Sequence, residues 1–246
     1  MTTQKPAGKA PTARERARTE ITAEILAAAR LRLTEQGPGE LSLRAVARDV
    51  GMVSSAVYRY YASRDDLLTA LLLVAYNELG EAAEAAEASV KNRSDYLKRW
   101  LTSCRAVRAW AIAHPGDYAL LYGSPVPGYV APQDTIAAAT RVTMVLVGIG
   151  LEAHANGATI SPAPAAAPHN VKRIMKDALA FLKERGSPQS DDAPEIALRL
   201  IGAWTSMFGA ISFELFGHLV GSVTDNDAYF DQVVIRQAVD LGLSET

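Results

Sequence analysis

The chain has 246 residues, of which 49% are hydrophobic and 21% charged, a composition typical of a globular protein with a substantial buried core. Its single cysteine, Cys104, excludes an internal disulfide framework and a zinc site built from several thiolates, so a reducing cytoplasm is the simplest compartment. The formal charge of −2 hides an asymmetry: residues 1–64 carry 11 Lys and Arg against 6 Asp and Glu, and we expect only this basic front to meet a polyanion.

The first predicted elements lie in this basic front. Residues 1–18 carry five Lys or Arg side chains and lack the apolar core of a secretory signal, so we expect a disordered basic arm. From residue 19 to residue 36 apolar side chains recur at helical spacing, and the pattern stops at a Gly-Pro-Gly sequence. Ser42 is placed to cap a second, short helix that ends at Gly51, because glycine readily takes the left-handed conformation of a helix C-terminus.

Only residues 51–53 separate this second helix from a third. Two short helices joined by a glycine-containing turn of three or four residues are typical of a helix-turn-helix unit. A helical wheel started at Val53 turns Tyr60 and Tyr61 inward. Ser63 then caps a long fourth helix, with carboxylates in its first turn, where the helix dipole favours them.

The outward face of the third helix is small, polar and basic. A recognition helix enters the major groove with small or polar residues near its N-terminus and with phosphate-binding groups around them. Ser54, Ser55 and Ala56 meet the first requirement. Tyr58 meets the second because its hydroxyl can donate to a phosphate from a rigid stem, and Arg59 adds a charge-assisted contact.

The run SLRAVARDVGMVSSAVYRYYASRDDLLTAL closely resembles the DNA-binding segment of the TetR (tetracycline repressor) family of bacterial transcriptional regulators. The likeness covers about residues 19–72. It implies that phosphate contacts fall on Ser42, Tyr58, Tyr60 and Arg64, and that the base-facing positions are Arg44, Ser54, Ser55 and Ala56.

Tyr60 is left with two interpretations, because the wheel turns it inward whereas the resemblance places it on DNA. Tyr61 occupies the position at which the family has an aromatic core residue. Val53 stands where many members have a serine that caps the recognition helix, so that cap must come from elsewhere or be lost. Arg64 replaces the more usual lysine and keeps the charge.

The rest of the chain predicts further helices, and no convincing period-2 run predicts a strand, so the expected fold class is all-α. The helical patterns cover residues 95–113, 132–155, 171–185, 194–220 and 227–241. Residues 157–168 are rich in Pro and Ala and predict a mobile surface loop.

The stretch RAWAIAHPGDYALLYGSPVPGY, residues 108–129, places an aromatic or histidine at every fourth position, which on its own fits an aromatic core stripe. It also resembles the WHG-type C-terminal domain of a TetR subgroup, and this resemblance implies a regulatory domain that holds a small apolar or amphipathic molecule. The candidate wall residues, chosen because cavities have mostly apolar walls with few polar groups, are Trp110, His114, Tyr118, Met144, Trp204 and Phe208. His114 fits a satisfied buried histidine equally well.

Residues 194–220 are apolar on two faces, and small residues such as Gly202 and Gly209 lie on the second. A helix in a monomer needs one buried face, so the second face indicates a partner. In the TetR family the last two long helices form a two-fold dimer interface, which the resemblance implies here for 194–220 and 227–241. Such a homodimer presents two recognition helices to successive major grooves of palindromic double-stranded operator DNA.

Two alternatives compete with a DNA-binding regulator. An enzyme is disfavoured because Cys104 lies mid-helix, Glu214 and His218 lack a third metal ligand, and no phosphate-cradling glycine motif occurs, so we expect no catalytic site, metal or cofactor. A helical small-molecule-binding or adaptor protein without DNA contact is disfavoured by the basic front. The charge-free stretch 200–213 is too short to span a bilayer, so no membrane segment is expected.

The sequence therefore predicts a cytoplasmic transcriptional regulator that responds to a ligand, a repressor by family precedent. The predicted organisation is a basic arm over 1–18 and an N-terminal three-helix helix-turn-helix domain over 19–66. A long helix joins that domain to a larger ligand-binding and dimerisation domain over 67–246.

Overall fold

The computed structural model describes residues 12–160, 170–186 and 190–243, and every regular element within these ranges is helical, which confirms the all-α prediction. One-turn 3-10 helices occur at Pro38–Glu40 and Gln133–Thr135. The α-helices are α1 (Ala13–Gln36), α2 (Leu43–Asp49), α3 (Ser54–Val57), α4 (Arg64–Ser89), α5 (Tyr96–Ala113), α6 (Pro115–Tyr122), α7 (Ile136–Ala139), α8 (Arg141–Ala155), α9 (Val171–Ile174), α10 (Lys176–Glu184), α11 (Ala193–Leu215) and α12 (Asn226–Asp240).

Helices α1 to α3 and the first half of α4 enclose the first of two hydrophobic cores. Along α1, Ile25, Ala29 and Leu33 recur every four residues and are buried, as helical periodicity requires of one face. Leu67 and Leu71 of α4 pack against them. Full burial of each such leucine contributes about 1.5–3 kcal/mol relative to exposure, so this stripe fixes how α1 lies on α4.

The start of α1 corrects the predicted arm. The helix begins at Ala13 rather than at residue 19, because Thr12 and Glu15 form a reciprocal capping box: the Glu15 N–H donates to Thr12 Oγ1 at 3.2 Å, and the Thr12 N–H donates to Glu15 Oε2 at 2.6 Å. Residues 13–18 are therefore helical and not a disordered arm. Residues 1–11 of that prediction lie outside the described residues.

The second core joins α4 and α5 to α8, α11 and α12. Trp100 of α5 is fully buried there, and its indole Nε1–H donates to the Val234 carbonyl of α12 at 3.0 Å. Because the indole N–H is hydrogen-bonded, Trp100 adds its large apolar surface to the core and leaves no polar group unpaired. Trp100 thus joins α12, the last described helix, to α5.

Helix α6 was missing from the sequence-based prediction. It starts at Pro115, where a proline at the first position lacks only an N–H that no helical partner would have bonded. Gly116 lets α6 approach α1 closely, because a Cβ there would lie 2.5 Å from Thr34 Oγ1. Leu120 of α6 completes the first core, so this short helix physically connects the two halves of the molecule.

Three predicted helices are interrupted or shorter. The 132–155 pattern is bent by 48° where α7 meets α8, and the 171–185 pattern is divided into α9 and α10. The helix predicted over 194–220 ends at Leu215, because Gly217 takes a φ of +78° and the His218 N–H donates to the Phe213 carbonyl at 2.8 Å in a Schellman motif. Of the predicted surface loop 157–168, residues 161–168 lie outside the described residues.

Helix α11, at 23 residues, is long and apolar enough by length and composition to cross a membrane, which the charge-free stretch alone did not suggest. Half of its most apolar 18-residue window is buried inside the protein. Buried positions such as Ile196, Leu200 and Ile211 belong to the second core. Its hydrophobicity therefore serves packing on at least one face.

Candidate nucleic-acid interface and ligand cavity

The turn between α2 and α3 is set by Gly51, which has a φ of +66°. The Gly51 N–H donates to the Arg48 carbonyl at 3.2 Å, and the Met52 N–H donates to the Ala47 carbonyl at 2.8 Å, so α2 closes in a Schellman motif. Glycine takes this left-handed conformation without the steric cost of a Cβ. The predicted left-handed end of the second helix is thus present.

The recognition segment, defined here as residues 54–61, begins with the single turn of α3. Val53 occupies the N-cap position and makes no side-chain cap hydrogen bond, so the serine cap usual in the family is lost. Beyond Val57 the chain continues in tight turns, with the Tyr60 N–H donating to the Val57 carbonyl at 2.9 Å. The buried Val57 side chain holds the segment on the first core.

The predicted outward face of this segment is accessible. Ser55, Tyr58 and Arg59 are exposed, and Ser54 and Ala56 are half-buried. Arg44, on the preceding helix, is also exposed. Small hydroxyl side chains beside an exposed tyrosine and two arginines form a surface that can approach base edges and donate to phosphate oxygens.

The two inward-turned tyrosines differ. Tyr61 is buried in the first core, as predicted, and desolvation raises the pKa of its hydroxyl. Tyr60 is half-buried, and the guanidinium carbon of Arg18 lies 5.3 Å from its ring centroid. Its ring therefore packs against the first core and also contacts a cation from α1.

Ser42 and Arg64 have structural surroundings that the sequence did not indicate. Ser42 sits at the N-cap of α2 but makes no side-chain cap hydrogen bond, contrary to the cap prediction. The Arg64 guanidinium donates to three backbone carbonyl oxygens, those of Leu41 at 2.9 Å, Pro38 at 3.0 Å and Gly39 at 2.8 Å. Arg64 thus holds the loop before α2 against α4, and a phosphate contact by it remains a prediction.

A cavity of about 240 Å³ lies between α8, α10 and α11. Met144 and Trp204 were predicted as cavity walls and do line it. Its lining carries no charged side chain, and the residues that complete it are Thr143, Val147, Ala178, Phe181, Leu182, Ala197, Leu200 and Ile201.

The other four predicted wall residues are not among the lining of this cavity, and they pack as two pairs of rings instead, Trp110 with His114 and Tyr118 with Phe208. Trp110 stacks on His114 with centroids 4.9 Å apart, and His114 Nδ1 lies 2.9 Å from the Trp110 carbonyl oxygen. The buried Tyr118 hydroxyl donates to the Phe208 carbonyl at 3.0 Å, and desolvation raises its pKa to about 12. The core-stripe interpretation of this motif therefore describes Trp110 and Tyr118, which are buried, whereas His114 is half-buried and Phe208 lies outside the motif on α11.

Arg30 of α1 connects the two halves of the protein. Its guanidinium donates to both oxygens of Asp117 on α6, at 2.7 to 3.2 Å, and to both oxygens of Glu78 on α4, at 2.6 and 2.8 Å. The hydrogen bonds to Glu78, and to a smaller extent those to Asp117, raise the pKa of Arg30. Asp117 retains only 7% side-chain exposure, so little water can replace Arg30 as the hydrogen-bond partner of its carboxylate. The sequence offered no signal for this contact, because the partners are 48 and 87 positions away.

The surface of α11 and α12 leaves apolar side chains exposed. Phe213 is 55% exposed and lies near the exposed Tyr229 of α12, and Val239, further along α12, is also exposed. A Cβ added at Gly202 or Gly209 would meet no atom within 4 Å, so these small residues leave open space along the helix. This is the second apolar face that the sequence predicted.

The residues considered as a catalytic nucleophile or as metal ligands have structural surroundings that do not suit those roles. Cys104 is fully buried, and desolvation raises the pKa of its thiol, which suppresses the thiolate needed for nucleophilic attack. Glu214 pairs with Arg108 at 2.6 and 2.7 Å rather than with His218, which lies beyond the end of α11. Among the described residues no group of three potential metal ligands occurs.

A helix-turn-helix unit with an accessible polar face, followed by a larger helical domain with an apolar cavity, is the arrangement of a DNA-binding transcriptional regulator. Comparison with known proteins gives the family. Residues 25–71 match the family model for bacterial regulatory proteins of the tetR family, and residues 100–236 match the model for the tetracyclin repressor-like C-terminal domain.

Related proteins and solved structures agree with the family given by these models. The chain is 40% identical over 222 residues to the HTH-type transcriptional regulator Rv1816 of Mycobacterium tuberculosis, covering 89% of this chain and 91% of that relative. The same figures hold for the HTH-type transcriptional regulator Mb1846 of Mycobacterium bovis. The crystal structure of the regulatory protein SCO4313 superposes with a TM-score of 0.68 at 30% identity, covering 92% of this chain and 98% of that one.

A tetR-family regulator from Shewanella sp. PV-4 shares the fold, with a TM-score of 0.55 at 18% identity and with 86% and 95% of the two chains covered. The chain belongs to the TetR family of bacterial transcriptional regulators.

Proposed function

We propose that this chain is a homodimeric, ligand-responsive repressor that binds a palindromic operator in the bacterial cytoplasm. A small molecule in the cavity between α8, α10 and α11 releases it. DNA-binding transcriptional regulation is the function of the family. What carries the proposal beyond the family is a continuous set of contacts from the cavity wall to the DNA-binding domain.

That set of contacts starts at Trp204, which lines the cavity and lies 5.6 Å from Phe208, ring centroid to centroid. The Phe208 carbonyl accepts the hydrogen bond of Tyr118 on α6. The neighbouring residue on α6, Asp117, binds Arg30 of α1. A ligand that moves α11 by a small amount therefore acts, through packed groups with little free volume, on α1, which shares the first core with the recognition segment.

The cavity favours an uncharged, mostly apolar ligand. Every lining side chain except Thr143 and the indole N–H of Trp204 is apolar, so a charged ligand would lose its hydration without gaining a partner. The volume of about 240 Å³ is below the roughly 300–1,000 Å³ of sites for drug-sized molecules, so the ligand is small.

The dimer forms, in this proposal, through α11 and α12, and the predicted interface 194–220 shortens to the helix that ends at Leu215. A two-fold axis through these helices places the recognition segments on successive major grooves, about 34–36 Å apart. Ser54 and Ser55 then face bases, while Tyr58 and Arg59 contact phosphates. The domain boundary near residue 66 belongs to the same proposal.

Binding of the purified chain to random-sequence duplex tests the DNA-binding part. We expect Tyr58→Phe to weaken binding to all duplexes alike and Ser55→Ala to change which sequence is preferred. An adaptor without DNA contact would show no binding at low salt, whereas a DNA reader binds there and loses affinity steeply as salt rises. Unchanged affinity of Tyr58→Phe would refute the phosphate contact.

The ligand part is tested with a neutral apolar dye, N-phenyl-1-naphthylamine, whose fluorescence rises in apolar sites. We expect saturable binding that Ala178→Phe abolishes, because the larger ring fills the cavity. Ala180→Phe is the matched control, because Ala180 lies on the exposed side of the same helix. Equal dye binding by the two variants would show that the cavity is not the dye site.

A further inference from the structure

The early start of α1 places three arginines on an ordered helix. Arg14, Arg16 and Arg18 are all exposed and lie within the first two turns after the capping box at Thr12. Because the helix is capped, the direction of each side chain follows from its position. Each arginine can therefore be assigned to a side of α1.

Two of the three arginines continue the buried stripe of α1. At about 100° per residue, Arg14 and Arg18 fall within about 20° of the direction of Ile25, whereas Arg16 falls about 180° from it. Ile25 faces the first core. The core ends before the first turns of α1, so Arg14 and Arg18 extend past its edge on the side where the recognition segment lies.

One direct contact fixes this geometry. The guanidinium carbon of Arg18 lies 5.3 Å from the ring centroid of Tyr60. Tyr60 follows the exposed Tyr58 and Arg59 in the sequence. A guanidinium held over an aromatic ring loses less conformational freedom on binding, and its N–H edge stays available for a phosphate.

We propose that Arg14 and Arg18, the α1 arginine row, form a second set of phosphate contacts that extends the DNA footprint beyond the recognition segment, and that Tyr60 is the platform that positions Arg18. This inference rests on the proposed DNA contact by the recognition segment. It also gives Tyr60 a role that agrees with its half-buried position. The ring of Tyr60, and not its hydroxyl, matters for DNA binding.

The experiment compares salt dependence of duplex binding for Arg18→Gln and Arg16→Gln, two variants with the same change of charge on opposite sides of one helix. Each lost phosphate contact lowers the slope of log K against log salt by about 0.9, so a dimer that loses Arg18 twice loses about 1.8. Between 50 and 200 mM salt, Arg18→Gln should therefore lose about 12-fold less affinity than the wild type does. Arg16→Gln should keep the wild-type slope.

Tyr60 gives an independent readout. Tyr60→Phe keeps the ring and should bind as the wild type does, whereas Tyr60→Leu removes the platform and should resemble Arg18→Gln. The inference is overturned by equal slopes for Arg18→Gln and Arg16→Gln, or by a loss in Tyr60→Phe as large as in Tyr60→Leu. If Tyr60→Leu does not fold, the arginine pair still decides. Failure of the wild type to bind duplex, or of Tyr58→Phe to weaken binding, would instead refute the recognition segment.

Discussion

The ion pairs of Arg30 join α1 to α4 and α6, and Arg30→Met tests them. Methionine keeps the length and much of the apolar stem of the side chain but removes the charge and all of the donors. Asp117, with 7% side-chain exposure, then loses its partner and cannot reach enough water to recover the lost hydrogen bonds. Glu78, with 38% exposure, is better hydrated and suffers less.

The structure sets the size of the effect. Removing one partner of a fully buried ion pair costs about 3–5 kcal/mol, whereas an exposed pair contributes about 0–1 kcal/mol. The side chain of Arg30 is 25% exposed, that of Asp117 is 7% exposed and that of Glu78 is 38% exposed. One partner is thus nearly buried and the other is exposed, so the site falls between the two limits. We therefore expect Arg30→Met to lower the free energy of unfolding by about 2–3 kcal/mol, an intermediate value.

Urea unfolding at pH 7, followed by circular dichroism, measures this change. Arg32→Met is the matched control, because Arg32 lies on the same helix but its partner Asp49 is 38% exposed and can be hydrated, so its effect should be much smaller. In Arg30→Met combined with Asp117→Asn, the loss should be smaller than the sum of the two single losses, since no unpaired buried carboxylate remains. A loss under about 1 kcal/mol for Arg30→Met, or additive single losses, would refute the reasoning.

Three further predictions concern the turn, the pH dependence and the dimer. Gly51→Ala should destabilise the protein by about 1–2 kcal/mol in the same urea assay, because alanine is strained at a φ of +66°. Hydrogen bonds from Arg141 lower the pKa of Glu84 below its ordinary 4.5, so its stabilisation is present above that value and lost as pH falls through the lower folded value. Glu84→Gln should flatten the fall of the thermal midpoint below pH 4.5, and an unchanged profile would contradict this. Phe213→Asp should sediment as a monomer while Val130→Asp, at another exposed apolar site, stays dimeric.

The helix-turn-helix unit could be predicted from sequence because its determinants are local. Gly51 at the left-handed position and Ser63, whose hydroxyl accepts the Asp66 N–H at 3.0 Å, act within a few residues of themselves. Tyr61 follows from the helical period. These signals do not depend on what packs against the unit.

The ligand site could be predicted only in part, because core and cavity walls use the same residue types. Met144 and Trp204 line the cavity, while Tyr118 is buried against Phe208. Which aromatic faces empty space depends on the bend between α7 and α8 and on the separate helix α10, neither of which has a signal in the pattern of apolar residues.

Contacts between distant parts of the chain were not predictable. Arg64 matches a family position for phosphate contact, yet its donors reach the loop at residues 38–41. Arg18 lies in a segment whose basic composition predicted an arm without structure, because the capping box at Thr12 was not recognised. In both cases the partner, and not the residue type, decides the role.

Selection of bound sequences from a random duplex library by the purified full-length chain tests the central claim most directly. We expect enrichment of an inverted repeat whose half-sites are about one helical turn apart, as a two-fold dimer with two recognition segments requires. Enrichment of a single unrepeated half-site, or of no sequence at all, would contradict the proposed homodimeric operator-binding regulator.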